Sequence, residues 1–298
     1  ELCDGLLGLG DLRLLAGDRG EVTHSAFDEL GVARCGADAH GDDHLLDARN
    51  LHRVVVVEFL LELGKDLFLV NRQPGTIWGY ADEFVSSPKL DDLQCAYVSL
   101  KAFLAAKNER DVSVYCCFDN EEVGSNTKQG AMSTFLQDVL HRINGALGKT
   151  PEDYYQAVAG SFLVSCDNAH AVHPNHGEKT DAVNCSWMNK GIVIKESANQ
   201  KYTTDAFSRA VFTNVCNEAG VPVQVFANRS DILGGSTLGN LSNTQVSVHA
   251  VDIGLPQLAM HSCYETAGVK DVEYAIRALT KFYQTTLQIE GAERVCFE

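Results

Sequence analysis

The chain has 298 residues, 45% of them hydrophobic and 21% charged. That size and balance suit one large α/β domain or two smaller ones, with ample core. No apolar run reaches the roughly 20 residues a membrane helix requires; the longest, residues 54–63, is short and broken by Glu58. Forty acidic against 24 basic residues give a net charge of −16, which repels phosphate backbones and argues against a nucleic-acid partner. The ten cysteines form no C-x-x-C pair and several lie in apolar stretches, so they read as buried reduced thiols. With no signal peptide evident at the start of the chain, a cytoplasmic setting is expected.

In chain order, residues 1–66 form a segment rich in Leu, Gly, Ala, Asp and His with poor periodicity. Its Asp38-Ala39-His40-Gly41-Asp42-Asp43-His44 reads as a polar surface loop, with metal binding as the alternative. From Leu67 onward, β-like runs alternate with helical spacing. Residues 112–118, 162–166, 191–195, 223–227 and 245–252 are predicted strands; residues 95–106, 132–143, 205–219 and 271–287 are predicted helices. Such alternation predicts an α/β fold, a central, mostly parallel mixed sheet flanked by helices. Residues 67–298 are expected to form the catalytic domain, and residues 1–66 a divergent N-terminal segment.

The densest chemistry begins where the first predicted strand ends, at Asp119-Asn120-Glu121-Glu122-Val123-Gly124-Ser125. Strand ends are where sites form in α/β sheets. Of two adjacent glutamates, one can bind a metal and the other can take a proton from activated water; Glu-Glu is also common on solvated surfaces. Lys89-Leu90-Asp91-Asp92-Leu93 reads by itself as a helix cap. Asp167-Asn168-Ala169-His170-Ala171-Val172-His173 follows a predicted strand, and Met260-His261-Ser262 follows an apolar stretch. A lone histidine is more often a satisfied core residue. Taken together, Asp, Glu, Asp and His at strand ends suit zinc, manganese or cobalt.

These stretches resemble one family. Asp119-Asn-Glu-Glu-Val-Gly-Ser125 with Gln129-Gly130-Ala131 is similar to the signature of the aspartyl aminopeptidases, a family of dinuclear zinc peptidases. Asp167 to Asn175, Val193 to Tyr202, Asn228 to Gly239 and Asp252 to Ser262 resemble the same family in order and spacing, from about Leu67 to the C-terminus. The resemblance implies a zinc-peptidase-like fold and two divalent ions per site, zinc first, with manganese or cobalt as alternatives. It implies Asp91 as the carboxylate bridging both ions, Glu122, Asp167 and His261 as further metal ligands, and Glu121 as general base. It further implies His170 as a donor beside the reacting carbonyl, and Lys195, Gly235 and Ser236 in the substrate pocket. The activity implied is removal of an N-terminal residue from peptides, acidic residues first and neutral ones as well, by a homo-oligomer. Arg229 and Asp231 read either as an ion pair or as pocket lining.

The family also has a histidine ligand in a His-Thr-Asp-Ser-like motif upstream of the bridging aspartate. His24, His40, His44 and His52 are the upstream histidines here, and none has those neighbours. Asp92 stands where the family commonly has Asn. These departures support the alternative of a catalytically impaired family member acting as a structural or assembly subunit.

Overall fold

The computed structural model describes residues 53–58, 65–291 and 293–298. The chain divides between Arg72 and Gln73 into two compact units. In the first, β1 (Arg53–Glu58) and β2 (Lys65–Val70) pair as an antiparallel hairpin, with Arg53 opposite Val70. The Asp38 to His44 stretch and all four upstream histidines lie outside the described residues.

The second unit is built on two sheets. Its strands are β3 (Thr76–Trp78), β4 (Phe84–Ser87), β5 (Phe162–Cys166), β6 (Ala169–His170), β7 (Ile192–Glu196), β8 (Val223–Ala227), β9 (His249–Gly254), β10 (Pro256–Leu258) and β11 (Glu265–Gly268). A closing ribbon pairs β12 (Leu287–Ile289) with β13 (Val295–Phe297). Helices are α1 (Leu90–Ala105), α2 (Phe135–Ala146), α3 (Pro151–Ala159), α4 (Ala206–Glu218), α5 (Leu238–Ser242) and α6 (Val269–Gln284).

The four-stranded sheet, in the order β5-β9-β7-β8, is the expected mixed, helix-flanked one. It is parallel at β5–β9 and β7–β8 and antiparallel at β9–β7. Central β7 is apolar from Ile192 to Ile194, all fully buried, as a strand covered on both faces should be. Helices α1, α4 and α6 pack over this sheet. Cys95, Val98 and Ala102 of α1, Phe212 and Cys216 of α4, and Ala275, Ala278 and Leu279 of α6 share one core with Ile192, Ile194, Val251 and Ile253. Each large apolar side chain buried there contributes about 1.5–3 kcal/mol. A capping box between Asp205 and Ser208 starts α4, and one between Thr150 and Asp153, with Pro151 at the first turn, starts α3; the sequence reading passed over α3.

The second sheet, in the order β3-β4-β11-β10-β6, departs from a mainly parallel arrangement. It is antiparallel except where β10 meets β6. Its strands run to only two to four residues, too short for alternation to register in the sequence. Two chain segments join the sheets, since β5 continues into β6 across Asp167 and Asn168, and β9 into β10 across Leu255. Gly254 permits the close pass between these segments, because a Cβ there would lie 2.2 Å from the Asp167 carbonyl oxygen.

One predicted strand is absent. Residues 112–118 take no regular secondary structure and join no ladder among the described residues. β-prone residues become a strand only with a hydrogen-bonding neighbour, and here the contacts are side chain to backbone. The Tyr115 hydroxyl donates to the Ala96 carbonyl at 3.1 Å, and the Tyr283 hydroxyl to that of Val114 at 3.3 Å. The thiols are also less uniformly buried than expected: Cys95 and Cys216 are buried, whereas Cys117 and Cys263 are at the surface.

Asp271 locks α6 to the loop ahead of β7. Fully buried, it accepts from the Asn189 N–H at 2.5 Å and the Gly191 N–H at 2.9 Å. Asp271→Ala would leave two backbone donors unpaired at about 1–3 kcal/mol each. The expected loss is about 2–4 kcal/mol in urea unfolding, and a change under 1 kcal/mol would show that this anchor is dispensable.

Candidate metal centre

Three neighbouring chain turns carry the acidic and imidazole groups. The first is the start of α1, where Lys89 is left-handed (φ 58°) and Asp91 and Asp92 have non-helical backbone angles. No side-chain cap forms there, so the Lys89 to Leu93 stretch is not the capping pattern its composition suggests. The second is a single 3-10 turn at Glu121–Val123, framed by left-handed Asn120 (φ 60°) and Gly124 (φ 100°). Glycine tolerates the φ that Gly124 needs, and asparagine does so better than most residues. The third is the turn after β10, where His261 is itself left-handed (φ 67°).

These turns bring the acids and the imidazole into contact. His261 Nε2 lies 3.2 Å from Asp91 Oδ2 and 3.0 Å from Glu122 Oε2. The Asp91 side chain is 4% exposed, whereas those of His261 and Glu122 are 61% and 51% exposed. The cluster therefore has a buried floor and an open rim. Asp167, directly after β5, lies with Asp91 and Asp92 in a second group whose ligand atoms are all within 4.8 Å of one another. Lys195, on β7, points at the same floor, its ammonium 3.2 Å from Asp167 Oδ2.

Charge crowding dominates the electrostatics. Burial, reinforced by the charges of Asp167, Glu122 and Glu265, pushes the Asp91 carboxyl up to about 8. Burial, with Asp167 and Glu122, raises Glu121 to about 7, against the pull of Lys195. Asp92 is raised too, by burial and by Asp167. His170 is held below the usual histidine range by burial and by the positive charges of Lys195 and His261. Burial works against the Lys195 ammonium, yet Asp167, Tyr202 and Asp252 outweigh it and hold the group protonated.

The expected pocket residues differ in their surroundings. His170 and Gly235 line a cavity of about 390 Å³, together with Lys179, Arg229, Phe226 and Leu233. Lys195 is 3% exposed and engaged by Asp167, so its ammonium faces the carboxylate floor. Ser236 donates to Asn240 Oδ1 at 2.7 Å. Arg229 both lines the cavity and forms a two-pronged ion pair with Asp231 at 2.9 and 2.6 Å.

Glu265 escaped the sequence reading. Only 2% exposed, it accepts from the Asp91 N–H at 2.9 Å with one oxygen and from the His261 N–H at 2.7 Å with the other. The one signal in the sequence is an acid four residues beyond His261, beside an otherwise small and apolar Thr266-Ala267-Gly268-Val269 run.

Residues 44–283 match the family model described as Aminopeptidase I zinc metalloprotease (M18). A "Probable M18 family aminopeptidase 2" of Clostridium novyi is 46% identical over 242 residues, 81% of this chain and 55% of the relative. A cryo-EM structure of a complex of Ape4 and Nbr1 superposes with a TM-score of 0.70 at 38% identity, over 74% of this chain and 43% of that one. The S. cerevisiae mApe1 dodecamer gives 0.65 at 29%, over 73% and 50%. The chain thus spans about half the length of the curated relatives it matches. Among the described residues, no helix is long and apolar enough to cross a membrane.

Glu265→Gln keeps the shape but supplies only one acceptor oxygen for the two N–H groups. Divalent-cation affinity is expected to fall about 10- to 100-fold, as when other supports of metal ligands are lost. Titration calorimetry with Zn2+ measures it, and unchanged affinity would separate Glu265 from the cluster.

Proposed function

The chain belongs to the M18 family of aminopeptidase I zinc metalloproteases, and on that premise we propose that it supplies the reactive side chains of a metallo-aminopeptidase. Its substrates are peptides, from which it removes the N-terminal residue. The observation that carries this reading is the Asp91, Glu122 and His261 cluster. The donor set fits a divalent cation. Asp91 is a nearly fully buried carboxylate whose Oδ1 has no hydrogen-bond partner, and one carboxylate floor with one imidazole wall is zinc-site chemistry.

Asp91, Glu122 and His261 would hold one cation, and Asp91 with Asp167 a second. Bound cations supply Lewis acidity toward a peptide carbonyl and toward water. Glu121 is the general base: a proton affinity near 7 lets it take a proton from water at neutral pH and pass it to the leaving amine. His170 stays neutral because of its burial and its cationic neighbours, and donates an N–H toward the carbonyl oxygen as charge gathers there. Lys195 neutralises and orients Asp167. Lys179 and Arg229, lining the cavity that His170 also lines, support a preference for acidic N-terminal residues, with neutral ones cleaved more slowly. The dodecameric mApe1 relative supports assembly with further copies of this chain.

The test pairs bound metal per chain with turnover of Asp-, Glu- and Leu-aminoacyl chromogenic substrates. Chelation is expected to abolish turnover, and Glu121→Gln to lower kcat by about 10²- to 10⁴-fold with metal retained. A chain that holds no metal and turns nothing over would be the structural subunit instead, and a Glu121→Gln variant at full speed would remove Glu121 from the chemistry.

A further inference from the structure

Asn168 follows Asp167 directly in the chain, and it is only 2% exposed. A buried carboxamide needs partners at both its ends. The Asn168 Nδ2 donates to the Leu90 carbonyl at 2.8 Å and to Gln257 Oε1 at 3.0 Å. Its Oδ1 accepts from the Cys95 thiol at 3.2 Å. A carbonyl can only accept, so the Leu90 oxygen fixes which end of the amide is nitrogen.

The Leu90 carbonyl belongs to the same peptide group as the Asp91 N–H. That N–H is taken by Glu265 Oε2 at 2.9 Å, while the carbonyl is taken by Asn168. A peptide group is a rigid plane, and this one is held at its two opposite edges. The two bonds together limit the direction in which the Asp91 side chain leaves the backbone. Glu265 refers that direction to His261, through the His261 N–H at 2.7 Å. Asn168 refers it to Asp167, its own neighbour in the chain. The Asp91 and Asp167 ligand atoms lie within 4.8 Å of each other. A leucine at position 168 would fill a similar volume but would leave the Leu90 oxygen unpaired, and an ionised aspartate would offer it no N–H.

We propose that Asn168 is a positioning residue of the metal centre: its amide sets the separation of Asp91 from Asp167, and thereby the spacing of two cations that share Asp91. This deepens the two-cation reading above and rests on it.

The metal-stripped full chain is titrated with Mn2+. The paramagnetic resonance signal of free Mn2+ counts the ions bound, and the low-temperature spectrum of the bound ions reports their magnetic coupling, which depends on their separation. Wild type is expected to bind two coupled Mn2+. Asn168→Leu should lose the coupling and hold the weaker ion about 10-fold or more less tightly. Gln257→Leu removes another buried amide of the same network but leaves the bond to Leu90, so it should keep both coupling and affinity. A general loss of packing would move the two variants alike. Asn168→Ser, smaller and still polar, is read by the same criteria if the leucine variant does not fold. Unchanged coupling and affinity in the position-168 variant, or equal losses in Gln257→Leu, would overturn the role of Asn168 and leave the two cations standing. A wild-type chain that binds no pair of ions would overturn the two-cation reading itself.

Discussion

One buried carboxylate ties together two of the turns that carry the candidate metal ligands. Glu265 takes the Asp91 N–H on one oxygen and the His261 N–H on the other, and the sheet explains why it can. Strand β11, which Glu265 begins, lies between β4 and β10. β4 runs out toward Asp91 and β10 toward His261, so the middle strand reaches both exits at once. Glu265 itself pairs with Ser87, the last residue of β4. The second neighbour of β10 is β6, just past Asp167. Three of the proposed ligands therefore stand at the ends of, or beside, one small mixed sheet, and the larger sheet with its helices forms the packed body against which that sheet is held.

This arrangement accounts for what was legible in the sequence and what was not. Strands 162–166 and 223–227 and the helix at 206–218 match their expected positions to within a residue at each end, because length, apolar content and caps all agree there. Residues 112–118 have the composition of a strand but no ladder partner among the described residues, and a ladder is a tertiary fact. The strands of the second sheet are too short for periodicity to declare them. The candidate site residues were named from their motif, not their spacing. Asp91 to His261 is a separation only the fold closes, and Glu265, which no motif marks, could be found only from its two bonds.

Lys195 shows a similar limit. A lysine at a strand end reads as a group offered to a substrate or to solvent. In the structure its ammonium is buried against Asp167 and 5.6 Å from the centre of the Tyr202 ring. Several carboxylates outnumber it, and a cation so placed gains more from the acids than burial takes away. Its charge also helps keep His170 neutral. One lysine thus acts on both a proposed ligand and a proposed donor without touching either the cavity or the solvent.

Buried acids fall into two kinds. Asp252, Glu265 and Asp271 are each at most 2% exposed and each is satisfied. Asp252 accepts from the Thr203 N–H at 2.5 Å, the Thr203 hydroxyl at 2.6 Å and the Thr237 hydroxyl at 2.7 Å, which ties the loop after Lys195 to the one after Gly235. Glu265 and Asp271 accept two backbone N–H groups each. In all three the bonds offset the loss of water. Asp91 and Asp92 are buried in the same protein, yet each keeps an oxygen with no partner. Asp91 also meets His261 Nε2 at 3.2 Å through its other oxygen, and its partnerless oxygen is the one that the proposed cation would satisfy.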